Sequence, residues 1–408
     1  MSRLERDDAY LRTFTSELLD VREDDAGQWW RLRESCFYAT GGGQPHDEGS
    51  LSLVDALGEE GASWRVVGVE ADEVAVWHRL APTGAAYQPA PQAGTRLRGR
   101  LDWQRRFRHM QRHTAQHLVS QAFVRVDPAF GTRSVALASS EVTLDLAGDP
   151  DEAAVAEAFT LVNELATQAL PITVLEVDES ELHDYPLRRP AKVSGRVRLV
   201  RMGDWEVSAC GGTHLRSTAE ALPILALARE RIRGGLTRIT FSAGLEAVAH
   251  ASATQASANA AARALSTGIP ELPARVLALQ AEATATRRTL AHARLALAAA
   301  RAAALAPTPG GVVAVALSAE EAPLATDLAD ALAARGASAV VGAPQGAKGF
   351  LVATSGAGLD VRPALQAGLA LLGGRGGGKP ERAQGAGPDL TELAAAVEAA
   401  ARVLNSNI

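Results

Sequence analysis

Cysteine is scarce in this chain, and long apolar runs are missing. Among 408 residues only Cys36 and Cys210 are cysteines, too few for a disulfide framework, which indicates a reducing compartment. No stretch of about eighteen uncharged, strongly apolar residues occurs, so we expect no transmembrane helix. The opening segment MSRLERDDAYLRTF is charged and lacks the apolar core of a signal peptide. We therefore expect a cytoplasmic protein with no membrane contact.

Aromatic residues and lysine are also sparse. Aromatics make up 4% of the chain, whereas 47% of residues are hydrophobic and 22% are charged, as in folded globular proteins. Lysine occurs only at positions 192, 348 and 379, so nearly all of the 41 basic residues are arginine, whose planar guanidinium suits phosphate. The net charge is −6, yet seven arginines lie between Arg96 and Arg112. This segment is either a nucleic-acid surface or a solvated face, and charge alone does not decide.

The pattern of apolar residues predicts an α+β protein with four domains. Residues 1–100 alternate in short segments and predict a β-barrel-like domain. Residues 101–244 mix helices and strands and predict an α+β domain. Residues 245–306 predict a helical hairpin, and residues 307–408 predict a C-terminal α/β domain with a glycine loop from Gly373.

The second helix of the predicted hairpin carries a heptad pattern. Apolar residues return at alternating steps of four and three, with one polar member. Such a seam packs either on the preceding helix or on a second subunit, as a homodimer through residues 245–306, and the sequence leaves both open. The seam consists of Leu272, Val276, Leu279, Ala283, Thr286, Leu290, Ala293, Leu297, Ala300 and Ala304.

Two short segments contain metal-binding residue types. His113 and His117 lie four residues apart in a helix predicted over 102–126, so both imidazoles share one helix face. Cys210 and His214 flank a glycine pair in CGGTH, which predicts a tight turn where thiolate and imidazole converge. Three histidines and one cysteine fit one zinc ion better than magnesium or calcium. No Glu lies between the helical histidines, so the HExxH protease pattern is not met.

Two glycine-rich segments have more than one interpretation. The run Gly41–Gly43 permits close approach of a ligand to the backbone, and it equally permits a hairpin turn. The segment Gly373–Lys379 matches the spacing GxxxxGK, but Pro380 stands where a nucleotide-binding loop needs Ser or Thr. ATP hydrolysis at this loop is therefore excluded.

Four segments in order resemble the freestanding alanyl-tRNA editing proteins, relatives of the editing and C-terminal domains of alanyl-tRNA synthetase. They are FYATGGGQPHDEGSL from Phe37, RHTAQHLVSQAF from Arg112, SACGGTHLRSTAE from Ser208 and GGRGGGKPERAQGAG from Gly373. The resemblance implies hydrolysis of mischarged tRNA(Ala), chiefly the seryl and also the glycyl ester, at the aminoacylated 3′ end. It also implies one zinc ion and no aminoacylation domain.

The resemblance also implies roles for individual residues. Ser134, Thr114 and Gln116 would line the substrate pocket, with Ser134 binding the hydroxyl of the substrate serine. Gln44 and Asp47, beside Gly41, Gly42 and Gly43, would offer polar contacts to the RNA end. Arg375, Lys379 and Arg382 would give the C-terminal glycine loop its phosphate-binding capacity.

Three questions stay open at this point. Four protein ligands describe a closed structural zinc site, whereas catalytic zinc keeps one position open. A deacylase for mischarged threonine tRNA would share the HxxxH and distal Cys and His. A non-catalytic tRNA-binding module with structural zinc is the third interpretation.

Overall fold

The computed structural model describes residues 2–25, 27–72, 75–81, 90–190, 195–307 and 311–407. The chain divides into two compact units, Met1–Ala260 and Ala261–Ile408. Both units combine helices with sheets, so the predicted α+β class is confirmed. The finer division into four domains remains a prediction. Among the described helices, none has the length and apolar character needed to cross a membrane.

The first unit begins with a closed barrel. Its strands pair in the order β2-β3-β7-β6-β5-β8, with β8 returning to β2. Trp30 and Leu32 lie two residues apart on one strand and both belong to the barrel core, while the preceding residue, Trp29, is buried without joining that core cluster. The elements of this region are β1 (Ser2–Arg3), α1 (Leu4–Asp7), β2 (Thr13–Asp24), β3 (Gly27–Leu32), β4 (Glu34–Ser35), β5 (Gly49–Val54), β6 (Glu60–Ala71), β7 (Val76–Leu80) and β8 (Arg96–Leu101).

A long helix and two sheets follow the barrel in the same unit. The elements are α2 (Trp103–Val126), β9 (Thr132–Ala136), β10 (Val142–Ala147), α3 (Glu152–Thr167), β11 (Ile172–Asp178), β12 (Arg196–Met202), β13 (Glu206–Ala209), β14 (Ile224–Ile232), β15 (Leu236–Ala243) and α4 (Gly244–Ala264). The sheets have the strand orders β14-β15-β10-β9 and β11-β12-β13. Strands β9 and β10 pair as an antiparallel hairpin.

Helix α2 lies between the barrel and the four-stranded sheet. Asp102 caps its first turn by accepting a hydrogen bond from the Arg105 amide at 3.1 Å. Its apolar side chains, such as Met110 and Leu118, join one core with β10, β15 and α3. Its polar side chains contact the loop that follows β4, and this arrangement buries the histidine face of the helix.

The second unit contains a five-stranded sheet with the order β16-β17-β18-β20-β19. Its elements are α5 (Leu272–Ala304), β16 (Val312–Ala316), α6 (Ala325–Ala334), β17 (Ser338–Gln345), β18 (Lys348–Ser355), α7 (Arg362–Leu371), β19 (Arg375–Lys379), β20 (Arg382–Gly387) and α8 (Leu393–Asn405). Most of the predicted heptad seam on α5 is exposed, including Leu290 and Leu297. The buried residues of α5 are Ala298 and Ala302, which pack into the core with α6. The homodimer through residues 245–306 remains a prediction.

The predicted C-terminal glycine loop is a β-hairpin, so that expectation was wrong. Strands β19 and β20 pair from Arg375–Ala386 to Lys379–Arg382. A Cβ added at Gly376 would lie 2.4 Å from the Gln384 carbonyl oxygen, and one at Gly385 would lie 2.6 Å from a Leu369 methyl carbon. The glycines are required because the strands and α7 approach one another closely.

Candidate metal centre

The two predicted halves of the metal site meet in the structure. His113 and His117 on α2 are buried, with ring centroids 5.2 Å apart. The turn after β13 places Cys210 and His214 beside them. One ligand atom from each of the four residues lies within 4.8 Å of the others. The convergence predicted from the sequence is confirmed.

The orientation of the three imidazoles fits a shared ion. Cys210 Sγ lies 3.4 Å from Nε2 of His113 and 3.3 Å from Nε2 of His214. The other ring nitrogen of each histidine already has a protein partner. Nδ1 of His113 faces Gln44 Oε1 at 2.8 Å, Nδ1 of His117 faces Glu206 Oε1 at 3.1 Å, and Nδ1 of His214 faces Thr114 Oγ1 at 3.2 Å. Metal-binding histidines are oriented by second contacts of this kind. The three imidazole nitrogens and the thiolate sulfur could therefore hold one cation such as zinc.

One glycine of the pair between Cys210 and His214, Gly212, is needed for packing. A Cβ added at Gly212 would lie 2.1 Å from Cε1 of His113 and 3.0 Å from Gln44 Oε1. A Cβ at the neighbouring Gly211 would meet nothing within 4 Å. Arg198 fixes the same turn by donating to the carbonyl oxygens of Cys210 and Gly212, at 2.7 and 3.0 Å. Gly212 therefore makes room for the first histidine.

Glu206 is a site residue that the sequence analysis missed. Its Oε1 accepts hydrogen bonds from Arg188 Nε at 2.7 Å and from the Ser208 hydroxyl, in addition to its contact with His117. The signal was available in the sequence, because side chains two residues apart on a strand share one face. Counting back from Cys210 along β13 gives Ser208 and Glu206.

Charges inside the site reinforce this arrangement. Burial alone would raise the pKa of Glu206, but the charges of His117 and Arg188 lower it to about 2. Burial would likewise raise the pKa of the Cys210 thiol, yet His113 and His214 hold it well below its usual value. For His117, burial is outweighed by Glu206, which raises the pKa. Cys210 is thus favoured as the thiolate, the form that binds metal.

The glycine run after Tyr38 forms a hairpin turn. Gly41 and Gln44 exchange two backbone hydrogen bonds, at 3.1 and 2.9 Å, around Gly42 and Gly43. Those two glycines have φ of +56° and +84°, a pair of values that glycine adopts without strain. The turn directs Gln44 inward, where it also donates from Nε2 to Thr213 Oγ1 at 2.8 Å. Gln44 is buried and holds His113, so its observed contacts are with the metal centre.

Asp47 is fully buried and bound by the protein itself. Arg106 Nε donates to both carboxylate oxygens of Asp47 at 3.0 and 2.9 Å, and the Tyr38 amide donates at 2.6 Å. Neither side chain of the Arg106–Asp47 pair is exposed. The structure therefore places Asp47 in a buried salt bridge between α2 and the loop that follows β4, so its carboxylate is not exposed for the predicted contact with RNA.

Most of the arginine-rich segment over residues 96–112 is neutralised in a similar way. Arg98 and Arg100 pair with Glu60, Arg105 pairs with Glu48, and Arg112 binds Glu246 on α4. These arginines hold the barrel and α2 in place. The segment is therefore neither a free phosphate-binding surface nor simply a solvated face, because most of its arginines are in ion pairs and Arg106 and Arg112 are buried in theirs.

The three predicted pocket residues occupy different environments. Thr114 is buried and accepts from the Leu215 amide at 3.2 Å while contacting His214, so it positions a ligand. Gln116 is buried and donates to Ser120 Oγ at 2.9 Å. Ser134 is exposed on β9 and donates to Asp145 Oδ2 at 2.5 Å. Only Thr114 among the three directly contacts a candidate ligand in the described structure.

The predicted tRNA-binding residues of the second unit lie on one hairpin face. Arg375 and Lys379 are four residues apart on β19, and Lys379 pairs across the hairpin with Arg382. All three side chains are exposed. Arg382 also binds Asp330, with Nε to Oδ1 at 2.8 Å. Arg375 and Lys379 have no ion pair among the residues that the structure describes, so they carry the unbalanced positive charge of this hairpin.

Comparison with known proteins agrees with this site. Residues 197–240, which include Cys210 and His214, match the family described as threonyl and alanyl tRNA synthetase second additional domain. The chain is 32% identical to the alanine-tRNA ligase of Pyrococcus abyssi over 253 residues, 59% of this chain and 26% of that protein. It is 31% identical to those of Methanothrix thermoacetophila and Pyrobaculum calidifontis over 388 and 396 residues, 90% and 93% of this chain.

These last two matches cover 41% and 42% of the longer proteins, so the chain spans about two fifths of their length or less. The matched region includes both halves of the candidate metal centre in a chain whose α+β fold brings them together. The chain is thus related over most of its length to the alanine-tRNA ligases, and it carries the second additional domain of the threonyl and alanyl tRNA synthetases.

Proposed function

We propose that this chain hydrolyses the ester between a wrong amino acid and the 3′ end of tRNA(Ala), acting chiefly on serine and also on glycine. The observation that carries the proposal is the convergence of His113, His117, Cys210 and His214 with every histidine held by a second contact. By name, the relatives described above are alanine-tRNA ligases, which act on alanine and its tRNA. An alanine-sized pocket excludes glycine and serine poorly, so a second hydrolytic site is needed for accuracy.

The four residues would hold zinc, and the bound ion would act as a Lewis acid that polarises an ester carbonyl. The protein's own contribution is orientation. Gln44, Glu206 and Thr114 fix the imidazole rings, and Arg198 fixes the turn that carries Cys210. These contacts allow the ester to meet a preformed site, which removes much of the orientational cost of hydrolysis.

Ser134 is the proposed partner of the substrate serine. Its hydroxyl proton is donated to Asp145, whose carboxylate also receives Arg238 Nε at 2.7 Å. The Ser134 oxygen consequently remains an acceptor for a hydroxyl donor from the substrate. Alanine lacks that donor. Ser134→Ala should reduce turnover of the seryl ester and leave the glycyl ester unchanged, and equal loss on both would remove Ser134 from this role.

The central test is a deacylation assay with seryl-, glycyl- and alanyl-tRNA(Ala). We expect release of serine and glycine and retention of alanine. Chelation should abolish the activity and added zinc should restore it. Cys210→Ala should lose both zinc and hydrolysis, whereas Cys36→Ala, in the barrel core, retains both. Activity that survives metal removal in a folded protein would leave the ion a structural role only.

The second candidate function is clearance of mischarged threonine tRNA. It has specific support because the matched domain family includes the threonyl as well as the alanyl enzymes. Seryl-tRNA(Thr) is therefore added to the same assay. Preference for this substrate over seryl-tRNA(Ala) would replace the main proposal.

We also propose that the hairpin of β19 and β20 contacts the phosphates of the tRNA. Its support is the exposed, unpaired charge of Arg375 and Lys379 on one face. Replacing both by Gln in the full chain should weaken tRNA binding and make its salt dependence shallower by about one unit per lost contact. Arg382→Gln is the control, since its charge is already balanced by Asp330.

A further inference from the structure

Three arginines, Arg188, Arg189 and Arg133, come from two distant segments, and one of them binds Glu206, which holds His117 of the metal centre. Arg188 is anchored, because its Nε donates to Glu206 and its amide donates to the Val207 carbonyl oxygen at 3.1 Å. A parallel bridge between Leu187 and Val207 fixes the same stretch against β13. The next residue, Arg189, is exposed. The backbone contacts that anchor Arg188 thus place Arg189 at the edge of the site.

The second segment contributes Arg133, on β9. It is the extra residue of a β-bulge, because Thr132 pairs with Leu146 and Ser134 pairs with Asp145 on β10. A bulge turns the extra side chain out of the regular ladder. The bulge is tied to α2, since Thr132 donates to Ser120 Oγ, which also receives Gln116, the neighbour of His117. Arg133 is exposed at this position.

The charges of this group do not balance. Glu206 is the single carboxylate that pairs with any of the three guanidinium groups in the described chain, and it pairs with Arg188. Arg133 and Arg189 have no ion pair there. Partial burial, followed by repulsion from Arg188 and Arg133, lowers the pKa of Arg189, so Arg189 is near enough to both of the other arginines to be repelled by each. Other arginines of this unit share acids, as Arg98 and Arg100 share Glu60.

We propose that Arg133 and Arg189 bind backbone phosphates next to the 3′-terminal nucleotide of the RNA substrate. Guanidinium groups form paired, charge-assisted hydrogen bonds with phosphate oxygens, and two unpaired guanidiniums beside one site favour an anion there. Arg188 is committed to Glu206 and positions the group. The inference rests on the proposed function for the identity of the RNA, while the binding of a phosphate chain can be measured independently of hydrolysis.

The first test uses fluorescence anisotropy to measure direct binding of a short RNA stem. The stem ends in a single-stranded CCA 3′ end that carries no amino acid. Arg133→Gln and Arg189→Gln should each weaken binding about tenfold, as for a hydrogen bond to a charged group, and make the salt dependence shallower. Arg233→Gln is the matched control, because Arg233 is exposed and has no ion pair in the described part of this unit. Unchanged binding in the double variant Arg133→Gln, Arg189→Gln would overturn the proposal.

The second test compares hydrolysis of seryl-tRNA(Ala) with that of 3′-seryl adenosine, which lacks phosphates. The double variant should raise KM for the tRNA and leave kcat/KM for the adenosine ester at the wild-type value. Equal losses on both substrates would overturn the proposal by showing a role in the centre itself. If wild-type protein hydrolyses neither ester while the arginines still control RNA binding, the proposed function fails and this inference stands. Zinc content and melting temperature of each variant check the fold.

Discussion

Gly212→Ala tests the packing of the metal centre by adding a single methyl group beside His113. The added Cβ would lie 2.1 Å from Cε1 and 2.4 Å from Nδ1 of His113. Ordinary carbon contacts are about 3.5 to 4.0 Å, so the ring must move by roughly 1.4 Å. Zinc sites hold their ligand distances within about 0.2 Å, so a shift of this size removes His113 from the ligand set.

The expected result is a large loss of zinc affinity with a moderate loss of stability. Overfilling a packed site costs about 1–3 kcal/mol. Disturbing a contact that orients a metal ligand costs about 10- to 100-fold in affinity, and we expect at least that here. Zinc affinity is measured by competition with a chromophoric chelator, and stability by urea unfolding of the metal-free protein. Gly211→Ala is the matched control, because its Cβ has open space and neither glycine has positive φ.

Equal zinc affinity in the two alanine variants would contradict this prediction. Such a result would mean that His113 is not a ligand or that the turn relaxes without cost. A fall in stability without a change in zinc binding would identify Gly212 as a packing residue only. Gly212→Ser should behave as Gly212→Ala does, since both substitutions introduce a Cβ.

Three further substitutions test the contacts around the centre. Asp47→Asn should destabilise the protein by about 3–5 kcal/mol in urea unfolding, because it leaves Arg106 buried without its charge partner; Arg382→Gln, in an exposed pair, should cost under about 1 kcal/mol. Gln44→Leu should weaken zinc binding about 10- to 100-fold by freeing the His113 ring, and unchanged affinity would exclude that role. Glu206→Gln should also weaken zinc binding about 10- to 100-fold. The urea midpoint of the metal-free variant measures how much stability is lost when Arg188 has no charged partner.

The sequence was sufficient to predict α2 and the meeting of the four residues of the candidate metal centre. The helix predicted over 102–126 agrees with α2 to within one residue. The four candidate ligands could be picked out because few residue types bind zinc, and because both spacings limit how the side chains can point. Local chemistry therefore identified the candidate ligands, although the two halves are about a hundred residues apart in the chain.

The contacts that orient the ligands were not predictable in the same way. Gln44 lies in the loop that follows β4, and Glu206 lies on β13 of a separate sheet. Each contact with a histidine therefore depends on how the barrel and that sheet pack against α2. Glycine motifs were ambiguous for a related reason. Glycine marks a place where something approaches the backbone or where φ is positive, without showing what approaches. Here the first run makes the turn that positions Gln44, and the second allows β19, β20 and α7 to pack closely.

This division of contacts predicts how metal binding couples to folding. The second contacts of the three imidazoles come from the barrel loop, from β13 and from α2 itself, so bound zinc would join these parts of the first unit. A ligand that binds only the folded state adds about 4 kcal/mol at a thousandfold excess over its Kd. Amide exchange should therefore slow on adding zinc in α2, in β13 and in residues 36–47. Exchange in β17 and β18 of the second unit should stay unchanged, because those strands belong to a separate core. Equal protection of both units would mean that zinc stabilises the chain as a whole, and protection confined to residues 210–214 would mean that the second contacts transmit nothing.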